Sequence, residues 1–600
     1  MKKWVLRGCK TPYNEIVKTS KELNIPIIIG QLLAVRGYDT KEKIQRYFNI
    51  SMSELHTPDL MKDMDKGCRI LIDAINSGKK IAVFGDYDAD GITSTSILML
   101  AIKRLGGTAR FYIPARETEG YGLNNQAVRD LADQGVEVLL TCDNGISAFE
   151  QVKLAKELGM TVVIADHHEV PFEMIDDKIN YILPQADAII NPKQADCEYP
   201  FKSLCAGAIA FKITEHLYRL ADKDWSVDGK EYLSLAIVAT ICDIMDLTDE
   251  NRIMVKYGLS VINETPNLGL KALLAVNDLL DNKIGTYHIG FIIGPCINAS
   301  GRLELADIAV NLFLSESEEQ ANALAKKLVE LNNSRKNLSN EGVELVKATI
   351  ESEELYNDKV ILVHQPDLHE SIAGIVSGRI KEIYYRPTFV FASNKEVIRG
   401  SGRSIEGYNM FEALVECSHL LDIFGGHPMA AGLSLKKENF LQLREELNEN
   451  CKLDIADMVP TSYIDLRMPV EKASLGLAKM LSRLEPFGKG NAIPMFGDKD
   501  LSVNRIQLLG SDKQIVKIFF DDRRGKGLIS GILFRKKDEF EKMIVDAGGN
   551  ELWNDLLEGN PNRLSLDIIY TVEINNFNNN QYLQLQIKDF RLHSNIKEEN

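Results

Sequence analysis

Short β-branched runs alternate with amphipathic segments from Lys80 to roughly Asp249. An apolar run at residues 81–84 precedes a helical pattern at 92–105, and residues 111–113, 125–134, 138–140, 148–158 and 162–165 continue the series. Strand–helix alternation of this kind predicts a parallel, doubly wound sheet. Residues up to about Gly78 read as helical and mixed, with Ile28-Ile29-Gly30-Gln31-Leu32-Leu33 opening a helix-like stretch. From Ser315 to about Leu355 there is no proline, and Leu324, Leu328, Leu331 and Leu338 recur at helical spacing. One long helix joining two lobes is expected there, broken near Asn332-Asn333. A second α/β region opens at residues 360–364, continues through 387–391 and ends in an amphipathic helix near Asn450. After Tyr463 short runs at 516–520, 527–534, 564–572 and 581–587, separated by turns such as Asp521-Asp522-Arg523-Arg524-Gly525, predict a small antiparallel barrel.

At 600 residues the chain exceeds a single core, so three or four domains are expected. A hydrophobic share of 45% with 26% charged residues is that of a soluble globular protein. No apolar run approaches the ~20 residues of a membrane span, and the start, Met1-Lys2-Lys3-Trp4-Val5-Leu6-Arg7, has no apolar stretch long enough for a signal peptide. Nine cysteines without a C-x-x-C pair point to reduced thiols in a cytoplasm and supply no zinc site. The net charge of −16 lowers the expectation of a nucleic-acid partner without excluding it, since net charge does not describe a local groove.

The chemistry gathers at strand ends. Gly85-Asp86-Tyr87-Asp88-Ala89-Asp90-Gly91, Thr141-Cys142-Asp143-Asn144-Gly145 and Asp166-His167-His168 each follow an apolar run, and Ala239-Thr240-Ile241-Cys242-Asp243-Ile244-Met245-Asp246 is a fourth such segment. Open α/β sheets build sites on that edge, and carboxylates with imidazoles suit Mn²⁺ or Mg²⁺. An EF-hand is excluded because Ile97 stands where its bidentate Glu must be. An H-E-x-x-H zinc site is excluded because Phe172 stands at the second His position. Neighbouring side chains on extended backbone point to opposite sides, so one of His167 and His168 is expected on a metal and the other toward substrate. Any one acidic turn alone would read as a solvated loop; three at strand ends do not. There is no G-x-S-x-G, P-loop or catalytic cysteine motif.

These four segments resemble the motifs of the DHH phosphoesterase superfamily, and their order and spacing resemble its RecJ-type exonuclease family. The resemblance implies Asp88, Asp90, Asp143, His167 and Asp243 as metal ligands, with Asp143 bridging, and His168 facing substrate within the same catalytic set. Some members carry a histidine where this chain has Phe84, with Asp86 the available substitute. Asp166 is expected to orient a ligand histidine. Gly425-Gly426-His427-Pro428-Met429-Ala430-Ala431-Gly432 resembles the DHH-associated motif in which histidine contacts phosphate. Ser401-Gly402-Arg403-Ser404 resembles its companion, in which serine and arginine bind a 5′-terminal phosphate. Asn298 and Arg302, in a G-P-x-x-N-A-x-G-R stretch, and Arg116 before Gly120-Tyr121-Gly122-Leu123 match further substrate-facing motifs, although Cys296 stands where a basic residue is common. Pro486-Phe487-Gly488-Lys489-Gly490-Asn491 resembles the signature before an OB-like domain, whose Arg505, Lys513, Lys517, Arg523, Arg524, Lys526, Arg535, Lys536 and Lys537 with Phe519, Phe520 and Phe534 suit a strand-binding groove.

The implied architecture is a two-lobed DHH phosphoesterase of α/β class. A parallel doubly wound sheet and a smaller α/β DHH-associated lobe are joined by a long helix, and an all-β OB-like barrel follows. The expected divisions are a helical or mixed segment (1–75), a DHH catalytic domain (76–314), the linking helix (315–355), the DHH-associated domain (356–455) and the OB-like domain (456–600). The implied activity is 5′→3′ hydrolysis of single-stranded DNA in repair or recombination, using Mn²⁺ or Mg²⁺ as a pair of ions. Expected partners are single-stranded DNA and a helicase or single-strand-binding protein, with no membrane, a monomeric state and a cytoplasmic location. The alternatives are a short-oligonucleotide or cyclic-dinucleotide phosphodiesterase of the same superfamily, disfavoured by length and the extra barrel, and an inactive DHH scaffold that binds nucleic acid.

Overall fold

The structure, a computed structural model, describes residues 2–116, 118–175, 178–393, 395–577 and 580–593. The chain forms two compact units, one of Ser51–Met458 with Gly488–Asn491 and one assembled from Met1–Ile50, Val459–Phe487 and Ala492–Asn600. The first strand, β1 (Lys3–Leu6), belongs to the second of these.

In the larger unit β2 (Lys80–Phe84), β3 (Thr108–Tyr112), β4 (Val138–Cys142) and β5 (Thr161–Ala165) precede an antiparallel hairpin of β6 (Phe172–Ile175) and β7 (Lys178–Tyr181), followed by β8 (Ala188–Ile190). A parallel sheet takes the order β3-β2-β4-β5-β8. Alternate residues of each strand feed different cores. Ile81, Val83 and Leu140 pack under the helices Met64–Asn76, Ala89–Arg104, Ala206–Leu220 and Trp225–Cys242. Ala82, Phe84 and Leu139 pack under Asn125–Asp133 and Phe149–Glu157. Burial on both faces accounts for the near-continuous apolar runs of these strands.

The helix Glu318–Ser352 runs for 35 residues without interruption. Its first half buries Ala321, Ala325 and Leu328 in the core of the first sheet, and its second half buries Val343, Val346 and Ile350 in the core that follows. The break expected near Asn332-Asn333 does not occur. The Asn332 amide donates to Cys296 Sγ (3.3 Å) and accepts from Arg335 Nη2 (2.8 Å), so a side chain that elsewhere competes with the backbone is occupied by tertiary partners. Beyond it β9 (Ile361–His364), β10 (Thr388–Ala392), β11 (Val397–Arg403), β12 (Ile423–His427) and β13 (Ala430–Lys436) form a sheet in the order β12-β13-β11-β10-β9, parallel only between β9 and β10.

One buried ion pair marks this unit. Lys212 Nζ lies 2.8 Å from Glu250 Oε1, and both side chains are fully buried. Lys212 also donates to the His56 carbonyl (2.6 Å), while Glu250 accepts from His56 N (2.7 Å) and the Tyr199 hydroxyl (2.5 Å).

In the discontinuous unit β14 (Thr461–Ile464) pairs parallel with β1. β15 (Leu466–Arg467), β16 (Phe496–Leu509), β17 (Ile515–Asp521), β18 (Leu528–Phe534), β19 (Ser565–Phe577) and β20 (Asn580–Leu592) follow. The long β16 pairs with β19 through its first half and with β17 through its second, which closes the order β16-β17-β18-β20-β19 into a barrel. The expected all-antiparallel pairing is corrected at two places: β18 and β20 run parallel, and so do the short β15 and β16. The helix Lys537–Glu558, kinked at Gly549 and absent from the sequence expectation, stands between β18 and β19. Residues 2–50 do not stand apart here. Ile29, Leu32, Leu33, Ile44 and Tyr47 share a core with Phe496, Phe520 and Tyr570, and the Trp4 indole donates to Asp589 Oδ2 (2.7 Å). Among the described residues no helix is long and apolar enough to cross a membrane.

Candidate active site

The chain leaves β2 toward β3 on one side and returns to β4 on the other, so the carboxyl ends of β2 and β4 flank a switch point of the sheet. Every acidic motif emerges there or beside it. Asp88 caps the helix Ala89–Arg104, its Oδ1 accepting from Asp90 N (2.9 Å) and Gly91 N (3.0 Å). Gly91 is required by crowding, since a Cβ there would meet Asp86 O at 2.5 Å. Asp90 accepts from the amides of Ala206 (2.8 Å) and Gly207 (2.7 Å) at the start of the helix Ala206–Leu220. Asp143 follows β4 with φ +63°, a left-handed conformation that aspartate tolerates better than most residues. Asp243 caps the C-terminus of Trp225–Cys242.

These side chains converge on His167. Its Nε2 lies 3.1 Å from Asp143 Oδ1, 3.6 Å from Asp90 Oδ2 and 3.9 Å from Asp243 Oδ2. Three overlapping sets, Asp86–Asp88–Asp143, Asp90–His167–Asp243 and Asp143–His167–His168, each offer ligand atoms within 4.8 Å of one another. Burial, reinforced by Asp88, pushes Asp86 up to about 8. Burial and neighbouring carboxylates hold Asp90 and Asp143 well above the usual range and raise Asp243 to about 6. Burial, with His168 beside it, depresses His167 to about 3, so its ring is neutral. Asp86 Oδ1 and His167 Nδ1 are buried without a hydrogen-bond partner. Crowded carboxylates beside a neutral imidazole are what a divalent cation with oxygen and nitrogen ligands requires, and the residues present fit Mn²⁺ or Mg²⁺.

Phe84 stands outside this constellation. It is buried against Leu139 and its neighbours and stacks on Tyr112 (5.1 Å between centroids). Asp86 joins Asp88 and Asp143 in its place. Asp166 orients His168 rather than the more buried His167. Its Oδ1 accepts from His168 Nδ1 (2.7 Å) and from the amides of His167 (2.7 Å) and His168 (3.1 Å), and Oδ2 accepts from Ile146 N (2.9 Å). Burial opposes charge on His168, but Asp166 outweighs it and raises the imidazole pKa. His168 Nε2 meets the Tyr121 hydroxyl at 3.2 Å, and that hydroxyl donates to the Asp143 carbonyl (3.0 Å). Tyr121 was not singled out in the sequence; its signal was the flanking Gly120 and Gly122, both at positive φ.

Arginines border the acidic centre. Arg116 lies over the Tyr87 ring (5.1 Å), and Arg302 Nη1 donates to the Ser371 carbonyl (2.8 Å). Burial and the nearby Arg116, Arg335 and Arg403 lower Arg302 to about 10, while burial and Arg116 lower Arg403. Arg335, on the long helix, gave no signal beyond its charge. Arg403 Nη1 donates to Ser401 Oγ (3.3 Å) and to the Gly402 carbonyl (2.8 Å). A Cβ on Gly374 would lie 2.8 Å from Ser401 Oγ and 2.9 Å from Arg403 Nη2, so this glycine lets the start of the helix Ala373–Tyr384 approach them. A helix N-terminus beside a half-buried guanidinium favours an anion. His427 and Arg403 flank Ala430 in the strand register. Asn298 is engaged in positioning, its Oδ1 accepting from Ala89 N (2.7 Å).

The barrel cations divide. Arg523 pairs with Glu471 and Asp498, Arg524 with Asp522, and Phe520 is core. Arg505 and Lys517 lie over the Phe519 ring at 4.2 and 5.1 Å, a combination able to hold a base and its phosphate.

Family models match successive parts of the chain: the DHH family N-terminal domain over residues 80–240, the DHHA1 domain over 357–453 and the RecJ OB domain over 464–589. The chain is 34% identical over 581 residues to the single-stranded-DNA-specific exonuclease RecJ of Bacillus subtilis, covering 96% of this chain and 69% of that one. It is 30% identical over 596 residues to the protein of the same name from Haemophilus influenzae, covering 95% and 98%. The crystal structure of RecJ with Mn²⁺ from Thermus thermophilus superposes with a TM-score of 0.79 at 23% identity, covering 98% of this chain and 79% of that chain. A second crystal structure, of exonuclease RecJ bound to manganese, gives 0.57 at 28% identity, covering 68% of this chain and all (100%) of that one. With relatives of this identity along nearly its whole length, the chain belongs to the RecJ family of single-stranded-DNA-specific exonucleases.

Proposed function

We propose that this chain hydrolyses the phosphodiester bonds of single-stranded DNA from the 5′ end, with Mn²⁺ or Mg²⁺ as cofactor. The observation that carries the reading is the apposition of two chemistries: converging carboxylates with His167, and a half-buried arginine pocket at Ser401 and Arg403. Asp86, Asp88, Asp90, Asp143, His167 and Asp243 would hold the ions, with Asp143 shared between the sets. Bound there, a pair of divalent ions supplies Lewis-acid stabilisation of the phosphoryl oxygens and acidifies water at neutral pH. Asp166 aims His168 and favours its charged form, ready to meet a phosphate oxygen. Ser401, Arg403 and the adjacent helix start would take the terminal phosphate, with Arg116, Arg302 and His427 along the strand.

End-labelled strands test this directly. With Mn²⁺, 5′-label is expected to leave single-stranded DNA as mononucleotide, while duplex and pyrophosphate persist. Release from the 3′ end, or preference for dinucleotides over longer strands, would sink the reading. Arg403→Ala is expected to raise KM for 5′-phosphorylated strands about 10- to 150-fold and to leave 5′-hydroxyl strands nearly unaffected. Arg403→Lys restores charge without the bidentate fork and is expected to recover only part. Equal losses on both kinds of strand would remove Arg403 from the terminal phosphate.

A single-strand-specific enzyme needs separated strands, which a helicase or single-strand-binding protein would supply. One chain carries the whole site, which supports a monomer, and the nine free thiols support a reducing, cytoplasmic setting.

A further inference from the structure

The helix that carries Asn298 and Arg302 begins well before them. Thr286–His288 is α-helical, Ile289–Ile293 forms a π-helical turn, and Gly294–Leu303 continues as α-helix. Along it Tyr287, Phe291, Pro295, Asn298 and Arg302 follow one another at intervals of three or four, which places them on one face. The opposite face, with Ile289, Ile293, Ile297 and Ser300, is buried.

The two ends of this face differ. At the far end Asn298 supports the amide of Ala89, Gly301 packs against Tyr87, and Arg302 joins the arginines. At the near end the rings of Tyr287 and Phe291 stack on each other, 5.1 Å apart and 23° from parallel, yet remain 59% and 70% exposed. The π turn beneath them sits on the end of the helix Trp225–Cys242, which Asp243 caps. Cys242 Sγ lies 3.9 Å from the Ile289 carbonyl, and Gly294 leaves the space that Cys242 Sγ occupies. Helical irregularities of this kind concentrate at functional sites. A single exposed apolar residue would need no explanation; two stacked aromatics on the face that leads to the catalytic loop do.

We propose that Tyr287 and Phe291 form a base-stacking subsite for the DNA strand downstream of the cleaved bond. The inference rests on the single-stranded-DNA reading above and adds the residues that grip strands longer than the reacting end. Aromatic faces stack on any base, so the subsite holds DNA without reading sequence. At ~1.5 Å per residue Phe291 lies about 16 Å along the helix from Arg302, so a strand gripped at both ends of this face is longer than a dinucleotide. The subsite therefore acts on long strands and not on the shortest.

The test compares the Tyr287→Ala/Phe291→Ala double variant with wild type on strands of about twelve nucleotides and on a dinucleotide, both 5′-phosphorylated, with Mn²⁺. The expected result is a KM for the longer strand raised at least about fivefold, an unchanged kcat, and unaltered dinucleotide kinetics. Tyr287→Phe/Phe291→Tyr, which keeps both rings, is expected to match wild type. Anisotropy of a labelled strand without divalent ion separates this subsite from hydrolysis. Wild type that binds without cleaving would fail the functional reading but leave the subsite standing, provided the alanine variant binds less tightly. Equal binding and KM in wild type and the alanine variant would overturn the subsite.

Discussion

Replacing Asp143 by alanine is expected to reduce hydrolysis of single-stranded DNA by at least about a thousandfold while strand binding stays within about twofold. Asp143 belongs to two of the three converging sets and touches His167 directly, so its loss opens both candidate cation positions together. Loss of Asp86 or Asp243 alone would open only one. Binding should survive because the groups proposed to grip the strand, Arg403, Arg302 and Arg116, are held by other partners, and removing a negative charge beside phosphates does not oppose association. Single-turnover cleavage and anisotropy measured on the same preparation check both halves. Activity within tenfold of wild type would remove Asp143 from the shared position. Asp143→Asn is expected to resemble alanine, because the amide keeps the shape but not the charge.

The second large effect concerns stability. Glu250→Ala is expected to destabilise the unit that contains it by about 3–5 kcal/mol, since it strands Lys212 as an uncompensated buried charge and leaves the Tyr199 hydroxyl and the His56 amide without their acceptor. Glu250→Gln keeps acceptor capacity and should lose less. The size of the effect reflects the cost of breaking the pair, not its net worth, because a well-packed apolar pair of the same volume is often as stable. Chemical denaturation followed by tryptophan fluorescence, with the midpoint as readout, tests this. A midpoint shift for alanine no larger than for glutamine would place the stabilisation in packing rather than in the ion pair.

The doubly wound sheet and its acidic edge were legible because strand periodicity and strand-end chemistry are local properties. Residues 81–84, 138–140 and 162–165 announce themselves as strands whatever surrounds them, and Asp88, Asp143 and His167 follow directly. The features that were not legible depend on partners distant in sequence. The parallel β18–β20 seam depends on where a later helix delivers the chain. The unbroken helix at Asn332 depends on Cys296 and Arg335 engaging an amide that would otherwise disturb the backbone. Asp166 was expected to steady a ligand histidine; which histidine depends on ring orientation, and it is His168. Gly374 looked like any glycine near a helix start, and only the approach of Ser401 and Arg403 gives it meaning.

The core shared by residues 2–50 and the barrel has a consequence for biosynthesis. Ile29, Leu32, Leu33 and Tyr47 leave the ribosome long before Phe496, Phe520 or Tyr570, against which they pack. At ~5–20 residues per second the interval is on the order of half a minute to two minutes. During it the nascent chain completes the whole acidic centre while its own beginning still exposes aliphatic surface. Chaperone engagement in this protein should therefore track the leading segment rather than the metal-site sheet, and shortening the chain at the barrel should send full-length amino-terminal segments into aggregates even where the catalytic fold is intact.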